Sequence, residues 1–490
     1  MVFDELSFLF PEIFLILSTF FIVIWGLLKN SLKEKGAQTL VKMSLLILIC
    51  TLVLVLLDGR SAVFFSGTLR TNVAIRFFKS LLLLSTIGVL STSLISWPIK
   101  RQALIEYPIL IFMSVFGGMI AMSANDFLIL FLGLELGALP LYVLVVFYQQ
   151  SQLSAEAGLK YFTLGALASG LFLFGVSLIY GASGTIHLQT LQSTLSASGA
   201  IWGAGGGTLS LNLMVGAVFV ISGLCFKLSL VPFHMWAPDV YQGTSTPIAL
   251  FLATCVKIIG ISIFVRLFWG PFQSLKPVLE PLLMTFIILS MVVGALGGLF
   301  QQNLKRLLAY SGMTHMGFIL TGVMIGGSSG LQALMIYLIL YIPMVLLAFI
   351  LIMVFKNGEE WGGFQISELR GLATASPLFA GAMALLMFSL AGIPPLAGFF
   401  GKFAILTSIL EQKNVGLAIV AVLSTLVSGF YYLRIIKVMY FETQKNCEPI
   451  DLFKGLSATN RNLILCLCLL LIGAGICLPF LTPLLENLSL

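Results

Sequence analysis

The sequence predicts an all-α, polytopic membrane protein of about fourteen transmembrane helices. Hydrophobic residues make up 59% of the 490 residues and charged residues only 9%, and the mean hydropathy is +1.08. A soluble protein of this size carries about 25% charged residues, so lipid must be the main solvent of this chain. The apolar residues are also gathered in runs of about 20, the length that crosses a bilayer as a helix.

Apolar length locates the individual helices. The twelfth apolar stretch is too long for one span and contains Ile393-Pro394-Pro395, so we expect two half-helices there. The seventh is interrupted at Val231-Pro232-Phe233. We expect the spans near residues 8–28, 39–57, 77–97, 105–123, 126–148, 156–181, 211–233, 246–268, 278–300, 304–327, 330–355, 374–410, 414–441 and 462–483.

The order of the two interrupted helices predicts an internal repeat. Spans four to eight form one five-helix unit and spans nine to thirteen another, and the interrupted helix is the fourth member of each. Broken helices at corresponding places in two inverted repeats are typical of ion paths in transporters. We expect an N-terminal three-helix segment over 1–104, half-channel units over 105–270 and 277–441, and a polar loop with a C-terminal helix over 442–490.

Loop charge predicts the orientation. The net charge of +7 comes from scattered lysines and arginines that never form a run of five, which favours flanks of membrane helices over a nucleic-acid-binding face. Fifteen basic residues fall on one side of the predicted topology and seven on the other. Because positive loops stay inside, both termini are expected outside. Met1 leads through Asp4 directly into an apolar run, so we expect the first helix to be retained.

Most ionisable residues lie in loops or at the ends of the predicted spans. Lys79 is assigned to a span end, Lys305 is expected to be an interface anchor and His187 to be solvated. Lys160 is equally suited to snorkelling and to a functional role.

Four charged residues lie well inside the predicted spans, away from their ends. They are Glu135, Lys227, Lys257 and Lys402. A charge at the centre of a membrane helix costs about 2.5–3.5 kcal/mol even on insertion scales, so such residues face a protein interior and usually serve ion or proton paths. Pro232 follows Lys227 by five residues and Pro395 precedes Lys402 by seven. The breaks therefore lie next to the charges.

These residue types suit proton transfer. Burial disfavours a charged lysine, whereas a neighbouring carboxylate favours it, so moving a Glu–Lys pair apart makes the lysine release its proton. The alternative is an inert ion pair that only joins two helices, for example Glu135 with Lys227. His315 lies near the centre of the tenth predicted span, where it would suit a proton relay or be an ordinary hydrogen-bonded core histidine.

The sequence lacks the motifs of redox chemistry. The seven cysteines form no CxxC pair, which argues against iron–sulfur clusters, zinc and a disulfide framework. There is no dinucleotide fingerprint or P-loop, and three histidines are too few for paired haem ligands. We expect no cofactor in this chain.

Five segments together resemble the antiporter-like membrane-arm subunits of respiratory complex I, over about residues 105–441. Within that family the amino-acid sequence of these segments is similar to that of the chain 2 (subunit N) group. The lysine at position 402 distinguishes this chain from the chain 4 (subunit M) group. The segments are the helix around Glu135, Glu156 to Tyr161, Phe226 to Tyr241, Lys305 to Ser311, and Ala391 to Phe399.

The resemblance implies a proton-translocating subunit of NADH:ubiquinone reductase. Glu135 and Lys227 would form the charge pair of the first half-channel, Lys257 and His315 would carry a central hydrophilic axis, and Lys402 would serve the second half-channel. FMN, iron–sulfur clusters and ubiquinone would belong to other subunits. The expected partners are other membrane-arm subunits, including a neighbouring antiporter-like subunit, and lipids, with no nucleic acid.

Two further readings stay open. The chain could serve a stand-alone cation/proton antiporter of the same family, or act as an inert membrane scaffold. Wording from Glu156 to Gly181 is similar to plant and algal mitochondrial versions, so we expect the mitochondrial inner membrane, with a bacterial plasma membrane as the alternative.

Overall fold

A computed structural model describes residues 2–28, 34–93, 105–147, 151–197, 208–355, 364–442, 452–453, 456 and 458–486. The glycine run at 203–207 and most of the loop at 442–461 lie outside them. The chain is almost entirely helical in this part. The helices are α1 Val2–Ser7, α2 Phe10–Leu28, α3 Glu34–Leu57, α4 Val73–Thr92, α5 Glu106–Ser123, α6 Phe127–Val145, α7 Gln152–Ser183, α8 Leu188–Ala197, α9 Thr208–Leu228, α10 Trp236–Gly243, α11 Thr246–Trp269, α12 Lys276–Leu299, α13 Leu304–Ile325, α14 Gly327–Phe355, α15 Leu372–Ala375, α16 Pro377–Ala391, α17 Ala397–Glu411, α18 Val415–Phe441 and α19 Ala458–Glu486.

The predicted membrane architecture is confirmed. In the described part, twelve helices are long and apolar enough to cross a membrane. The broken pair α16–α17 and the helix α19 supply the remaining two of the fourteen predicted segments. The fourth member of each five-helix unit is interrupted, between α9 and α10 and between α16 and α17. The division into four units, and the orientation in the membrane, stay predictions.

Polar residues fix where several helices begin. The side chain of Asp126 accepts hydrogen bonds from the Leu128 and Ile129 amides at the start of α6. Asn303 does the same for the Lys305 and Arg306 amides at the start of α13. Such caps satisfy amides that a helix leaves unpaired at its first turn.

Small residues let corresponding helix pairs pack closely in the two units. A Cβ added at Gly133 of α6 would collide with the backbone of Ala121 in α5. In the second unit a Cβ at Gly294 of α12 would collide with Thr314 in α13. Ser114 also donates a hydrogen bond of 2.9 Å to the Gly137 carbonyl across the first pair. Such contacts are the usual glue between helices in lipid.

The centre of the bundle is formed by α11, α13 and α14. In the apolar stretch of α11, 100% of the residues are buried. In the apolar stretches of α2, α3 and α7 only 33% of the residues are buried. The peripheral helices therefore lie on the outside of the bundle, and the central ones are enclosed by protein.

Two elements outside the spans were not predicted. A short antiparallel hairpin pairs β1 (Ala62–Phe64) with β2 (Leu69–Thr71), so the fold is not purely helical. The helix α8 follows α7 and lies on the same face of the bundle as the hairpin. Both are too short to give a signal in an analysis based on apolar length.

Candidate functional site

The charge pair of the first unit lies where α6, α7 and α9 meet. Glu135 is the ninth of the 19 residues of α6, and its Oε1 lies 3.9 Å from the Nζ of Lys227 in the last turn of α9. Ser169 of α7 donates a hydrogen bond of 2.5 Å to the same Oε1. The Lys227 side chain is 9% exposed and the Glu135 side chain 24%. The lysine is thus enclosed, and the carboxylate reaches the edge of the unit.

The break after α9 brings a backbone carbonyl and a serine hydroxyl to a second lysine. Lys257 is the twelfth of the 24 residues of α11, so it lies at mid-membrane depth. Its Nζ donates 2.5 Å to Ser229 Oγ and 3.5 Å to the Lys227 carbonyl, and it lies 5.5 Å from the ring centre of Trp236. A helix carboxyl end attracts cations because its last carbonyls carry partial negative charge.

The second break repeats this arrangement with different residues. The Nζ of Lys402, in α17, donates 2.9 Å to the Leu390 carbonyl and 3.2 Å to the Ala391 carbonyl at the end of α16. Gly392 caps α16 in the left-handed region, with φ of 88°. A side chain on Gly392 would press against the Lys402 side chain. Each interrupted helix therefore ends beside a buried ammonium, which bonds two carbonyls at the second break and a hydroxyl and one carbonyl at the first.

His315 belongs to a hydroxyl-rich cluster in the second unit. It is the twelfth of 22 residues in α13 and is 2% exposed. Its Nδ1 shares a 2.7 Å hydrogen bond with the Tyr337 hydroxyl, and its Nε2 lies 3.5 Å from the Tyr432 hydroxyl. Tyr432 in turn bonds Ser311 at 2.5 Å. The ring can exchange a proton on both sides, since either nitrogen can donate or accept.

The structure thus gathers the five predicted residues into two clusters. The first contains Glu135, Lys227 and Lys257, and a cavity of about 20 Å³ beside Lys227 has room for one water. The second contains His315 and Lys402, which approach through Phe318: the ring stacks on Tyr337 and lies 5.9 Å from the Lys402 Nζ. Within the described ranges no hydrogen bond joins the two clusters directly.

A second ion-pair group, which the sequence analysis missed, connects the two units. Asp239 of α10 bonds Lys160 of α7 at 2.7 Å and Arg306 of α13 at 2.5 Å. Burial raises the pKa of Asp239, but these hydrogen bonds outweigh that effect and hold the pKa below the ordinary value of 3.8. The sequence analysis left Lys160 open between snorkelling and a functional role. The acidic residue Asp239, within the segment Phe226 to Tyr241, was the signal that could have identified its partner.

The expectation that only four charges lie within the spans is wrong. Lys79 of α4 and Glu12 of α2 form a buried ion pair with an Nζ–Oε1 distance of 2.5 Å and side-chain exposures of 6% and 1%. Lys79 was assigned to a span end because α4 was predicted to start at 77, whereas it starts at Val73.

One of two smaller expectations also needs correction. Lys305 was taken as an interface anchor, but it is 6% exposed and donates 3.0 Å to the Thr244 carbonyl. His187, which was expected to be solvated, is 41% exposed, and its Nδ1 also lies 3.3 Å from a carboxylate oxygen of Asp126.

A many-helix bundle with two interrupted helices and lysines buried at the breaks defines a membrane protein built to move ions. Residues 124–428 match the family described as NADH:quinone oxidoreductase/Mrp antiporter, transmembrane. A Pelagibacter ubique protein named NADH-quinone oxidoreductase subunit N is 40% identical, over 91% of this chain and 92% of the relative. The chain therefore belongs to this family.

Solved structures agree. A chain in respiratory complex I from Thermus thermophilus with bound aureothin is 29% identical, with a TM-score of 0.78 and coverage of 96% of this chain and 98% of that chain. A chain of the Mrp complex from Dietzia sp. shares the fold at 21% identity, with a TM-score of 0.78 and coverage of 99% and 97%.

Proposed function

We propose that this chain is the proton-translocating, antiporter-like membrane-arm subunit of an NADH:quinone oxidoreductase. Electron transfer from NADH to quinone takes place in other subunits and drives proton transfer through buried Glu, Lys and His side chains here. One observation carries the proposal. At each helix break a buried ammonium donates hydrogen bonds to groups at the end of the broken helix. In the first unit Lys257 bonds the Ser229 hydroxyl and lies 3.5 Å from the Lys227 carbonyl. In the second unit Lys402 bonds the Leu390 and Ala391 carbonyls.

In the first unit, Glu135 would control the proton on Lys227. At 3.9 Å and an effective dielectric constant of about 20, the attraction between the two charges is about 4 kcal/mol. Moving the carboxylate away would remove that stabilisation, and about 4 kcal/mol corresponds to roughly a thousandfold change in proton occupancy. Lys227 would then pass its proton through the adjoining water-sized cavity toward Lys257.

In the second unit, Lys402 would exchange protons with the His315 cluster. Tyr337 lies against both elements, since its hydroxyl bonds His315 and its ring contacts the Gly401 turn beside Lys402. The helix breaks would allow this proton exchange. When the ammonium moves away, the free carbonyls at the break can accept hydrogen bonds from water.

The exposed edge beside Glu135 supports a neighbouring subunit. Leu132, Leu136 and Leu139 are 58%, 37% and 55% exposed on the same helix as this quarter-exposed carboxylate. Exposing the Glu135 carboxylate to lipid would be energetically costly, so an adjacent membrane-arm subunit would cover it. FMN, iron–sulfur clusters and quinone would lie elsewhere in the complex.

We place this multi-pass chain in an energy-coupling membrane. The Pelagibacter ubique relative that carries the subunit N name comes from a bacterium, which supports a bacterial plasma membrane. The mitochondrial inner membrane stays a proposal, which rests on the similarity of the sequence of residues 156–181 to plant and algal mitochondrial versions.

The test is proton pumping by the assembled complex. In proteoliposomes supplied with NADH and quinone, Lys227→Met and Glu135→Gln should lower the protons moved per electron, measured with a pH-sensitive dye. Lys413→Met, which removes an exposed lysine, should leave the ratio unchanged. An unchanged ratio in an assembled Lys227→Met complex would overturn the proposal.

The likeness to the Mrp chain keeps a second function in view, a subunit of a stand-alone cation/proton antiporter. Purifying the tagged chain from its native membrane distinguishes the two. Recovery of flavin and iron–sulfur absorbance with the chain supports the oxidoreductase, and their absence from an intact complex supports the antiporter.

A further inference from the structure

A polar cavity of about 260 Å³ opens on the membrane face where α4, α6 and α8 begin and α11 ends. A single water needs only about 10–15 Å³, so the cavity has room for a larger polar group. It plays no part in the proton path described above. Its lining includes Arg70, Arg266, Asn72, Asn125, Gln189 and Trp269.

Two arginines give the cavity its charge. Arg70, in strand β2, and Arg266, in the last turn of α11, both line the cavity, so two positive charges share this space. Among the residues that the structure describes, no carboxylate lies within ion-pair distance of either guanidinium. Arg266 donates 2.5 Å to the Met122 carbonyl, which holds the group in place but leaves its charge uncompensated.

The surrounding backbone adds to the positive potential. Asn72 caps the start of α4, and the first turn of α8 supplies Leu188 and Gln189 to the wall. Helix amino ends carry partial positive charge and free amides, and both attract anions. Asp126, which follows Asn125 in the sequence, is engaged by the first amides of α6 and by His187, and it forms no ion pair with either arginine.

The position of the cavity matches the depth of lipid head groups. Trp269 forms part of the wall, and its Nε1 donates 3.1 Å to the Val323 carbonyl. Tryptophan collects at the membrane–water interface, so an arginine-lined cavity beside Trp269 lies within reach of phosphate groups at the membrane surface.

We propose that this cavity binds a phosphate-class anion between Arg70 and Arg266. The guanidinium groups suit phosphate oxygens because their planar N–H donors can bond two oxygens at once. Two sources have this chemistry, the phosphodiester of an anionic phospholipid and free inorganic phosphate.

The test uses cryo-electron microscopy of the complete purified complex in two samples. One is reconstituted in phosphatidylglycerol nanodiscs in phosphate-free buffer, and the other is delipidated in detergent with millimolar inorganic phosphate. Density between the two guanidiniums that continues into acyl chains in the first sample supports a lipid ligand. Compact density in the second sample alone supports free phosphate. An empty cavity in both samples overturns the proposal.

Matched variants link the density to the arginines. Arg70→Gln should remove it, whereas Arg60→Gln, on the same membrane face but outside the cavity, should retain it. Arg266→Gln also breaks the bond to Met122 and could prevent folding, so Arg70→Gln is the deciding variant. Density that persists at full strength in Arg70→Gln would refute the assignment.

Discussion

The buried pair of Glu12 and Lys79 makes a demanding prediction about how the first three helices are held together. The pair joins α2 to α4 and is shielded from water on all sides, with Glu12 at 1% exposure. We expect Glu12→Leu and Lys79→Met to destabilise the chain strongly as single variants. The double variant should be close to the wild type, because it removes both charges together.

The magnitude follows from the geometry. At 2.5 Å and an effective dielectric constant of about 20, the attraction is about 7 kcal/mol. Desolvation of the two ions costs several kcal/mol each, so removing one partner typically destabilises by about 3–5 kcal/mol, while replacing both by apolar residues is often neutral or stabilising. The second oxygen of Glu12 is buried without a hydrogen bond in the described structure, which favours the double replacement further.

Thermal dissociation of the purified complex measures this. After heating, the fraction of this chain retained in the complex is read from native gels for the wild type, both single variants and the double variant. Lys42→Met on α3, which removes an exposed lysine, serves as the control. Additive losses, with the double variant the least stable of all, would refute the coupling between the two charges.

Three further expectations concern the breaks and the link between the units. Gly398→Ala should destabilise by about 1–3 kcal/mol, because a Cβ there meets the Ser389 carbonyl, whereas Gly381→Ala, with open space around it, should be neutral in the same heating assay. Asp239→Asn should weaken the contact between the two units and lower proton pumping by the assembled complex. Because its pKa lies below 3.8, the stabilisation is complete above that value and lost only as pH falls through the lower folded-state pKa, so activity profiles near neutral pH should keep their shape. Trp236→Phe should cost about 1 kcal/mol, seen as a lower dissociation temperature, because it removes a buried hydrogen bond of 2.9 Å.

The membrane spans could be predicted because apolar length decides them. The stretch 246–268 became α11, Thr246–Trp269, and 414–441 became α18, Val415–Phe441. Both breaks were also predicted, since proline removes a backbone donor and in lipid the freed carbonyl must find a new partner.

The partners of the buried charges could not be predicted in the same way. Lys257 bonds Ser229 and the Lys227 carbonyl, and this pairing depends on where the chain turns after α9, which hydropathy does not specify. Glu12 and Lys79 are 67 residues apart, and each looked like an ordinary helix-end charge. The hairpin β1–β2 and the helix α8 lie in polar loops, where the pattern is weak.

The lysines at the breaks lie at the middle of their bundle, and this depth has an electrical consequence. A proton that travels between Lys257 and either aqueous phase crosses about half of the transmembrane field. One charge that crosses the full membrane changes in free energy by about 2.3 kcal/mol per 100 mV. Half the field therefore changes the free energy of protonating these lysines by about 1.2 kcal/mol for every 100 mV, which is roughly a sevenfold change in proton occupancy. Charging the membrane would thus load or empty these sites directly, and the voltage built by pumping would act back on the residues that carry the protons.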